Sequence, residues 1–230
     1  MTTPVVTNVQ PCAGTRSGAI SQIVLLRHAE ADLHGRFCGH SNPGLSAQGR
    51  ATLPALVQGF LQTSISPSAI WSSDLRRAQE TAAPIAGHFG LDCMLSSGLR
   101  EMNFGHWEGL SWSDVESQYP DDARAWVEKF PHHRPPGGES FLELQARAVN
   151  ELESLSKVSE SGLTLVVTHA GFIRTAIGWV LGVENQRVSR ISQNHGAVST
   201  LENVRGRWLV TAVNLDLSRF ASMSKDGDRQ

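Results

Sequence analysis

The chain lacks most of the features that mark membrane, secreted or nucleic-acid-binding proteins. Its 230 residues carry 20 Lys and Arg against 22 Asp and Glu, and this formal net charge of −2 gives no general attraction to nucleic acid or to an acidic membrane surface. No apolar run approaches the ~20 residues that a membrane-spanning helix needs. The first twenty residues lack the apolar core of a secretory signal. We therefore expect no nucleic-acid partner and no membrane partner.

Cysteine is also scarce. The three cysteines, Cys12, Cys38 and Cys93, are odd in number and form no CxxC pair. Such a set fits a reducing cytoplasm better than a disulfide scaffold, so we expect a cytoplasmic protein. The sequence does not determine the oligomeric state, and a homodimer stays open.

Hydrophobic residues make up 40% of the chain, which is enough for a sizeable core in one domain. Apolar runs alternate with segments of helical periodicity, and this order predicts an α/β three-layer sandwich, with helices on both faces of a mostly parallel sheet. We expect the catalytic domain at 21–220 with a cap insertion at about 102–139. Residues 1–20 are predicted to be a disordered tail and residues 221–230 a loose one.

The strands and helices are predicted from the spacing of apolar residues and from the turn residues between them. Strands are expected at residues 23–27, 69–72, 92–95, 164–168, 197–203 and 208–213. Helices are expected after the cap Ser46, at 76–88, after a capping box at Ser140–Glu143, and at 172–181. The last two strands flank Arg205-Gly206, which predicts a hairpin and an antiparallel edge strand.

Polar side chains follow the first buried strand directly, as Arg27 and His28. In an open α/β sheet the chemistry lies just past the carboxyl ends of the strands. Arginine offers a planar fork of donors for phosphate oxygens, and histidine offers a nitrogen that can attack or transfer a proton near neutral pH. The pair therefore suggests phosphate chemistry.

Two further strands end in the same way. The strand at 164–168 runs into His169 and then Gly171, and the strand at 69–72 precedes Arg76 and Arg77. Two histidines and several arginines are thus expected at three strand ends, where one phosphate group can meet them.

These residues resemble the histidine phosphatase superfamily, the phosphoglycerate-mutase-like phosphatases. The resemblance covers the chain from about Ile23 to Val213, in the family's order and spacing. Its pieces are Arg27-His28-Ala29-Glu30, Gly35-Arg36-Phe37-Cys38-Gly39-His40, Leu45-Ser46-Ala47-Gln48-Gly49, Ser72-Ser73-Asp74-Leu75-Arg76-Arg77-Ala78, Leu99-Arg100-Glu101-Met102-Asn103-Phe104-Gly105, Gly137-Gly138-Glu139-Ser140 and Thr168-His169-Ala170-Gly171. Within the family, the tryptophan-glycine and proline-rich segments look most like the α-ribazole phosphatases of cobalamin synthesis.

The resemblance implies a role for each catalytic group. His28 would attack phosphorus and become phosphohistidine, which splits one difficult displacement into two easier steps. Arg27, Arg77 and His169 would hold the phosphoryl oxygens as charge shifts in the transition state. Glu101 would protonate the leaving oxygen and then activate water. Because side-chain charge then replaces a divalent ion, we expect no metal and no cofactor.

The resemblance also implies that His34, Cys38 and Gly39 contact the substrate. Many relatives carry asparagine at the position of His34, and a hydroxyl residue or glutamine at that of Cys38. These departures bear on which substrate is bound rather than on the chemistry.

Some assignments stay open at this stage. Arg76 is expected at the surface, and Glu108 and Asp114 are alternative acids to Glu101. The segment 132–138 is either a substrate lid or a solvated proline-rich loop.

We expect a metal-independent phosphomonoesterase acting on a small phosphorylated metabolite, with α-ribazole 5′-phosphate as one candidate. The competing functions are a phosphoglycerate mutase, a binding module without activity, and a metal hydrolase. The last of these would use His28, His34, His40 and His169, although the Asp-rich and His-x-Glu patterns usual for such sites are missing.

Overall fold

A computed structural model describes residues 20–33, 35–63, 65–158 and 162–217. The strands are β1 Ile20–Arg27, β2 Ala69–Ser73, β3 Cys93–Ser96, β4 Leu163–Thr168, β5 Ala197–Val204 and β6 Arg207–Asp216. The α-helices are α1 Ala47–Leu61, α2 Arg76–Phe89, α3 Trp112–Gln118, α4 Pro120–Glu128, α5 Phe141–Val158 and α6 Ala170–Leu181. Three short 3-10 helices lie at Ser97–Leu99, Gly105–Trp107 and Asn185–Arg190. The predicted tails lie outside these ranges, apart from Ile20.

The six strands form one sheet in the order β3-β2-β4-β1-β5-β6. Strands β3, β2, β4 and β1 are parallel to one another, whereas β5 is antiparallel to both β1 and β6. The predicted mixed sheet is confirmed, with one difference: the antiparallel part comprises two strands. Strand β5 pairs directly with β1, so it lies beside the strand that carries Arg27.

The alternating side chains of β1 are buried on both faces of the sheet. Val24 and Leu26 pack with α1 and α2, while Ile23 and Leu25 pack with α5 and α6. A strand covered by helices on both faces is expected to be continuously apolar, as this one is. The three-layer arrangement follows from this packing.

Side-chain caps set the beginnings of two helices where the sequence predicted them. The Ser46 hydroxyl accepts a hydrogen bond from the Gly49 amide at 2.9 Å and opens α1. At the start of α5, the Glu143 carboxylate accepts from the Ser140 amide at 2.8 Å, and the Glu143 amide donates to the Ser140 hydroxyl at 3.3 Å. The capping box is confirmed, and each cap satisfies amides that a helix start leaves unpaired.

The segment 102–139 has a small core of its own. Trp107 is fully buried, and it packs with Val115 and Ala123 from α3 and α4. Two short helices, α3 and α4, lie in this segment. Within the described part of the chain, no helix has both the length and the apolar character needed to cross a membrane.

Candidate active site

Strands β1 and β4 bring the two predicted strand-end histidines together. In their parallel register Arg27 is paired with Thr168, and the His28 amide donates to the Thr168 carbonyl at 2.9 Å. The next residues, His28 and His169, therefore leave the sheet side by side, and their ring centroids are 5.0 Å apart.

The His28 ring is held in the tautomer that a nucleophile requires. Its Nδ1 lies 2.6 Å from the Ala29 carbonyl oxygen. A carbonyl oxygen only accepts hydrogen bonds, so Nδ1 carries the proton and Nε2 keeps its lone pair. Burial, followed by the charge of Arg77, holds the pKa of His28 well below its ordinary value. The ring is thus neutral near pH 7, with Nε2 able to attack an electrophile.

His169 is completely buried behind His28. Its Nε2 lies 2.9 Å from the hydroxyl of Ser73 at the end of β2, and its Nδ1 has no partner among the described residues. Burial, followed by the proximity of His28, holds the pKa of His169 well below its ordinary value. A polar atom buried without a partner is costly, so this nitrogen marks a place where a ligand would supply one.

Arg77 is buried in the first turn of α2 and binds the loop that follows β1. Its terminal nitrogens donate to the carbonyls of Ser41 at 2.8 Å, Gly39 at 2.7 Å and Cys38 at 3.1 Å. Its Nε has no partner among the described residues. Arg77 therefore fixes the loop and also leaves one buried donor unused.

Arg27 is oriented by a loop that the sequence analysis did not single out. Its terminal nitrogens donate to the Gln193 carbonyl at 2.6 Å and to Nε2 of His195 at 2.8 Å, and its Nε has no partner among the described residues. Burial lowers the pKa of Arg27 to about 10. The loop reaches Arg27 because β5 pairs with β1. A histidine just before a strand is only a weak sequence signal of a functional site. The pairing of β5 with β1 is what brings His195 to Arg27.

Arg27, His28 and Arg77 line a cavity of about 290 Å³ at the carboxyl ends of the strands, whereas His169 is not among its lining residues. Its lining includes five of the predicted site residues, namely Arg27, His28, Cys38, Arg77 and Glu101. The second histidine of this lining is His195, whose ring centroid lies 5.5 Å from that of His28. The cavity thus brings a neutral imidazole and two buried guanidinium groups to one small volume.

The Glu101 carboxylate is held at the rim of this cavity by two backbone amides. It accepts from the Met102 amide and from the Gly171 amide, both at 2.9 Å. A Cβ at position 171 would lie 2.1 Å from Oε1 of Glu101, so only glycine allows this approach. The Gly171 of the sequence motif therefore lets the Glu101 carboxylate approach the backbone closely enough to accept a hydrogen bond from its amide.

A family model described as histidine phosphatase superfamily (branch 1) matches residues 23–216 of this chain. This chain belongs to the histidine phosphatase superfamily.

Individual relatives agree with the family assignment. Phosphoserine phosphatase 1 of Hydrogenobacter thermophilus is 28% identical over 197 residues, which cover 84% of this chain and 92% of the relative. The adenosylcobalamin/alpha-ribazole phosphatase of Escherichia coli is 27% identical over 183 residues, which cover 77% of this chain and 88% of the relative. Mycobacterial proteins that are 30% identical over 187 residues are longer, and this chain spans 51% of their length.

The fold matches solved structures as well. The crystal structure of a putative alpha-ribazole-5'-P phosphatase from Escherichia coli superposes with a TM-score of 0.78 at 24% identity, covering 84% of this chain and 96% of that one. At this identity the likeness concerns the fold alone.

In this member of the histidine phosphatase superfamily, Glu101 is the one carboxylate among the described residues that line the 290 Å³ cavity. The alternative acid Glu108 instead accepts from the amides of Gly39, His40, Ser41 and Phe104, at 2.7 to 3.2 Å. The other alternative, Asp114, accepts from the amide and hydroxyl of Ser111 and caps α3. Both carboxylates hold the backbone in place and do not reach the cavity. Arg100 does not pair with Glu101 but binds Asp74 at 2.7 and 2.6 Å.

The three predicted substrate-binding residues are placed differently from one another. Cys38 lines the cavity, and burial raises the pKa of its thiol. Gly39 does not line it: a Cβ there would lie 2.0 Å from the Met102 carbonyl oxygen, so the glycine serves close packing. The substrate contact expected of Gly39 stays a prediction, and in the structure its carbonyl accepts from Arg77 at 2.7 Å. His34 lies outside the described residues.

The surface assignments can also be placed. The Arg76 side chain is 62% exposed and pairs with Glu80, as expected. The segment 132–138 lines neither this cavity nor its larger neighbour, and Pro136 instead accepts a hydrogen bond from the His106 amide at 2.8 Å. The lid interpretation thus receives no support. Across the described ranges, no cluster of three or more His, Cys, Asp or Glu is arranged to hold a metal ion.

Proposed function

We propose that this chain is a metal-independent phosphomonoesterase that hydrolyses a small phosphorylated metabolite through a phosphohistidine at His28. One observation carries the proposal. A neutral imidazole with a free Nε2 lone pair lines a cavity with Arg27 and Arg77, and the Nε atoms of both arginines and Nδ1 of the adjacent His169 are buried without described partners. A phosphoryl group supplies the oxygens that these donors lack.

In the first step, Nε2 of His28 forms a bond to phosphorus as the bond from phosphorus to the ester oxygen breaks. A neutral nucleophile meets no charge repulsion from the phosphate dianion, and the two arginines neutralise the equatorial oxygens. Glu101 gives its proton to the departing oxygen. The products of this step are the free alcohol and phosphohistidine.

In the second step, water attacks the phosphohistidine from the side that the alcohol has left. Glu101, now a carboxylate, takes a proton from the water as its oxygen bonds to phosphorus and the N–P bond breaks. His28 returns to its neutral form and phosphate is released. Among candidate metabolites, α-ribazole 5′-phosphate is supported by the name of the Escherichia coli relative.

The proposal is tested by trapping the intermediate. Rapid-quench mass spectrometry during turnover of p-nitrophenyl phosphate should find one phosphoryl group on His28. The His28→Ala protein should fold, show no phosphoprotein and lose activity, whereas His88→Ala, a change of an exposed histidine on α2, should behave like the wild type. Activity in His28→Ala without a phosphohistidine would refute the mechanism. Loss of wild-type activity in EDTA, restored by zinc or magnesium, would refute metal independence.

A further inference from the structure

A second and larger cavity, of about 590 Å³, lies beside the phosphate-sized one. The two cavities share three lining residues, which are Phe37, Glu101 and Phe104. Glu101, the proposed acid, therefore stands at the boundary between them. Nothing in the proposed chemistry of phosphate transfer accounts for the second cavity.

The position of Glu101 indicates which part of the substrate the second cavity binds, and this inference rests on the proposed function. The acid must lie next to the ester oxygen that it protonates. With phosphorus beside His28 in the first cavity, the alcohol carbon bonded to that oxygen lies on the far side of Glu101. The second cavity is then the place for the alcohol part of the substrate.

The walls of this cavity are mainly aromatic and aliphatic. They include Met102, Trp126, Val127, Phe130, Phe141, Leu144 and Val188, besides the two shared phenylalanines. The aromatic rings support one another, with centroid distances of 4.7 Å for Phe37 and Phe104, and of 5.6 Å for Trp126 and Phe130. Rings packed in this way form a preformed apolar surface, and such a surface gains free energy only when an apolar group covers it.

The lining of the second cavity also includes polar residues. Arg174, Asn185, Gln186 and Ser189 are among them, and Arg174 is held through its Nε by the Ile191 carbonyl at 2.8 Å. Apart from Glu101, Arg174 is the only charged residue among the described lining residues. A few polar groups beside large apolar walls are typical of sites that orient a ring-bearing ligand.

We propose that the substrate is the phosphate monoester of an alcohol that carries an aromatic or comparably large apolar group with hydrogen-bonding substituents. The apolar group lies against the walls of the second cavity, and its polar substituents face the polar lining residues, which include Arg174. Small polar esters such as phosphoserine and 3-phosphoglycerate leave these walls uncovered.

The test compares two esters whose reacting ends are the same, 2-(1-naphthyl)ethyl phosphate and ethyl phosphate. Both are primary alkyl esters, so the departing oxygens are alike and only the group beyond them differs. We expect kcat/KM to be higher for the naphthyl ester by about ten-fold or more, a factor equivalent to about 1.4 kcal/mol of transition-state binding. Phosphoserine should be hydrolysed no faster than ethyl phosphate.

A pair of matched variants locates the effect. Val127 lines the second cavity and is 69% exposed, whereas Val158 is 66% exposed and lies outside it, so neither change to aspartate disturbs a core. Val127→Asp should lower the preference for the naphthyl ester, because it puts a charge beside the apolar group. Val158→Asp should leave the preference at the wild-type value.

The outcomes separate the two proposals. Hydrolysis of both esters at equal kcat/KM, a preference for phosphoserine, or equal effects of the two variants would refute this inference and leave the proposed function standing. If neither ester nor p-nitrophenyl phosphate forms phosphohistidine, the proposed function fails and this inference fails with it.

Discussion

The two neighbouring cavities share three residues, yet they are built from different parts of the chain. The smaller one is formed at the end of β1 and the start of α2, together with the loops whose positions these two elements fix. The larger one is formed by α4, the start of α5, α6 and the 3-10 helix Asn185–Arg190. The comparison teaches that the sheet positions the reacting groups, while the helices packed over it determine what else is bound.

The cavities also differ in electrostatics. Around the smaller one, Arg27, Arg77 and His169 each keep a buried polar atom without a described partner. Groups of this kind cost stability until an anion binds. The walls of the larger cavity are chiefly apolar and cost little while it is empty. We therefore expect changes in the smaller cavity to alter the chemistry steeply, and changes in the larger one to alter the choice of substrate.

The largest effect is expected at the boundary, for Glu101→Gln. The amide keeps the shape of the side chain but has no transferable proton, so turnover of alkyl phosphates should fall by about 10²- to 10⁴-fold. In single-turnover bursts, phosphohistidine formation should fall steeply for an alkyl ester and only modestly for p-nitrophenyl phosphate, whose leaving group needs no protonation. Its hydrolysis should slow with both substrates.

Burst measurements are essential to this test, because steady-state rates hide the first step when hydrolysis is limiting. Equal loss of burst rate with both esters would assign Glu101 to positioning instead of proton transfer.

Inside the smaller cavity, Arg77 and Arg76 offer a matched pair of adjacent arginines. Arg77→Ala removes a buried donor and should cost about 2–4 kcal/mol in the transition state, seen as a fall in kcat/KM. It should also lower Tm, because three carbonyls of residues 38–41 lose their partner. Arg76→Ala removes an exposed ion pair with Glu80 and should change kcat/KM little. A larger loss of activity in Arg76→Ala would show that the wrong arginine has been placed at the phosphate.

A smaller effect is expected at His195, the cavity residue that lies outside the predicted motifs. His195→Ala removes the acceptor that orients Arg27 and should raise KM for p-nitrophenyl phosphate by about ten-fold, as for the loss of one hydrogen bond to a charged group. His195→Gln keeps an acceptor and should recover much of this loss. If the two variants have the same KM, His195 does not act through Arg27.

The smallest effect concerns pH and stability. The pKa values of His28 and His169 are lowered in the fold, mainly by burial, so the unfolded chain binds more protons once the pH drops below about 6.5. The free energy of unfolding should therefore keep its full value above that pH. It should fall between pH 6.5 and 5.5 by up to about 1.4 kcal/mol for each histidine.

Urea denaturation at pH 6.5 and at pH 5.5 measures this slope. His169→Gln should reduce this loss of unfolding free energy by up to the amount that one histidine contributes. The change of the exposed His88 to Gln should leave the loss unchanged. An unaltered slope in His169→Gln would mean that His169 is not buried in its neutral form.

The sequence by itself determined which residues end the strands. Continuous apolar runs before Arg27 and before His169 predict buried parallel strands, and parallel strands bring their carboxyl ends to one edge. The nearness of His28 and His169 follows from that rule, and the capping box at Ser140 follows from local hydrogen bonding. Such features depend on neighbours along the chain or on the period of a strand, so they can be derived without tertiary contacts.

Only the tertiary structure decided the rest of the site. Gly39 packs against the Met102 carbonyl, and Glu108 binds backbone amides of residues far from it in the sequence. His195 and the apolar cavity had no predictable role, since the paired residues of β1 and β5 lie far apart in the sequence, from 184 positions for Ile20 with Val204 to 172 for Leu26 with Val198. Long-range packing of this kind leaves no periodic signal in the sequence, and it is this packing that shapes the binding site.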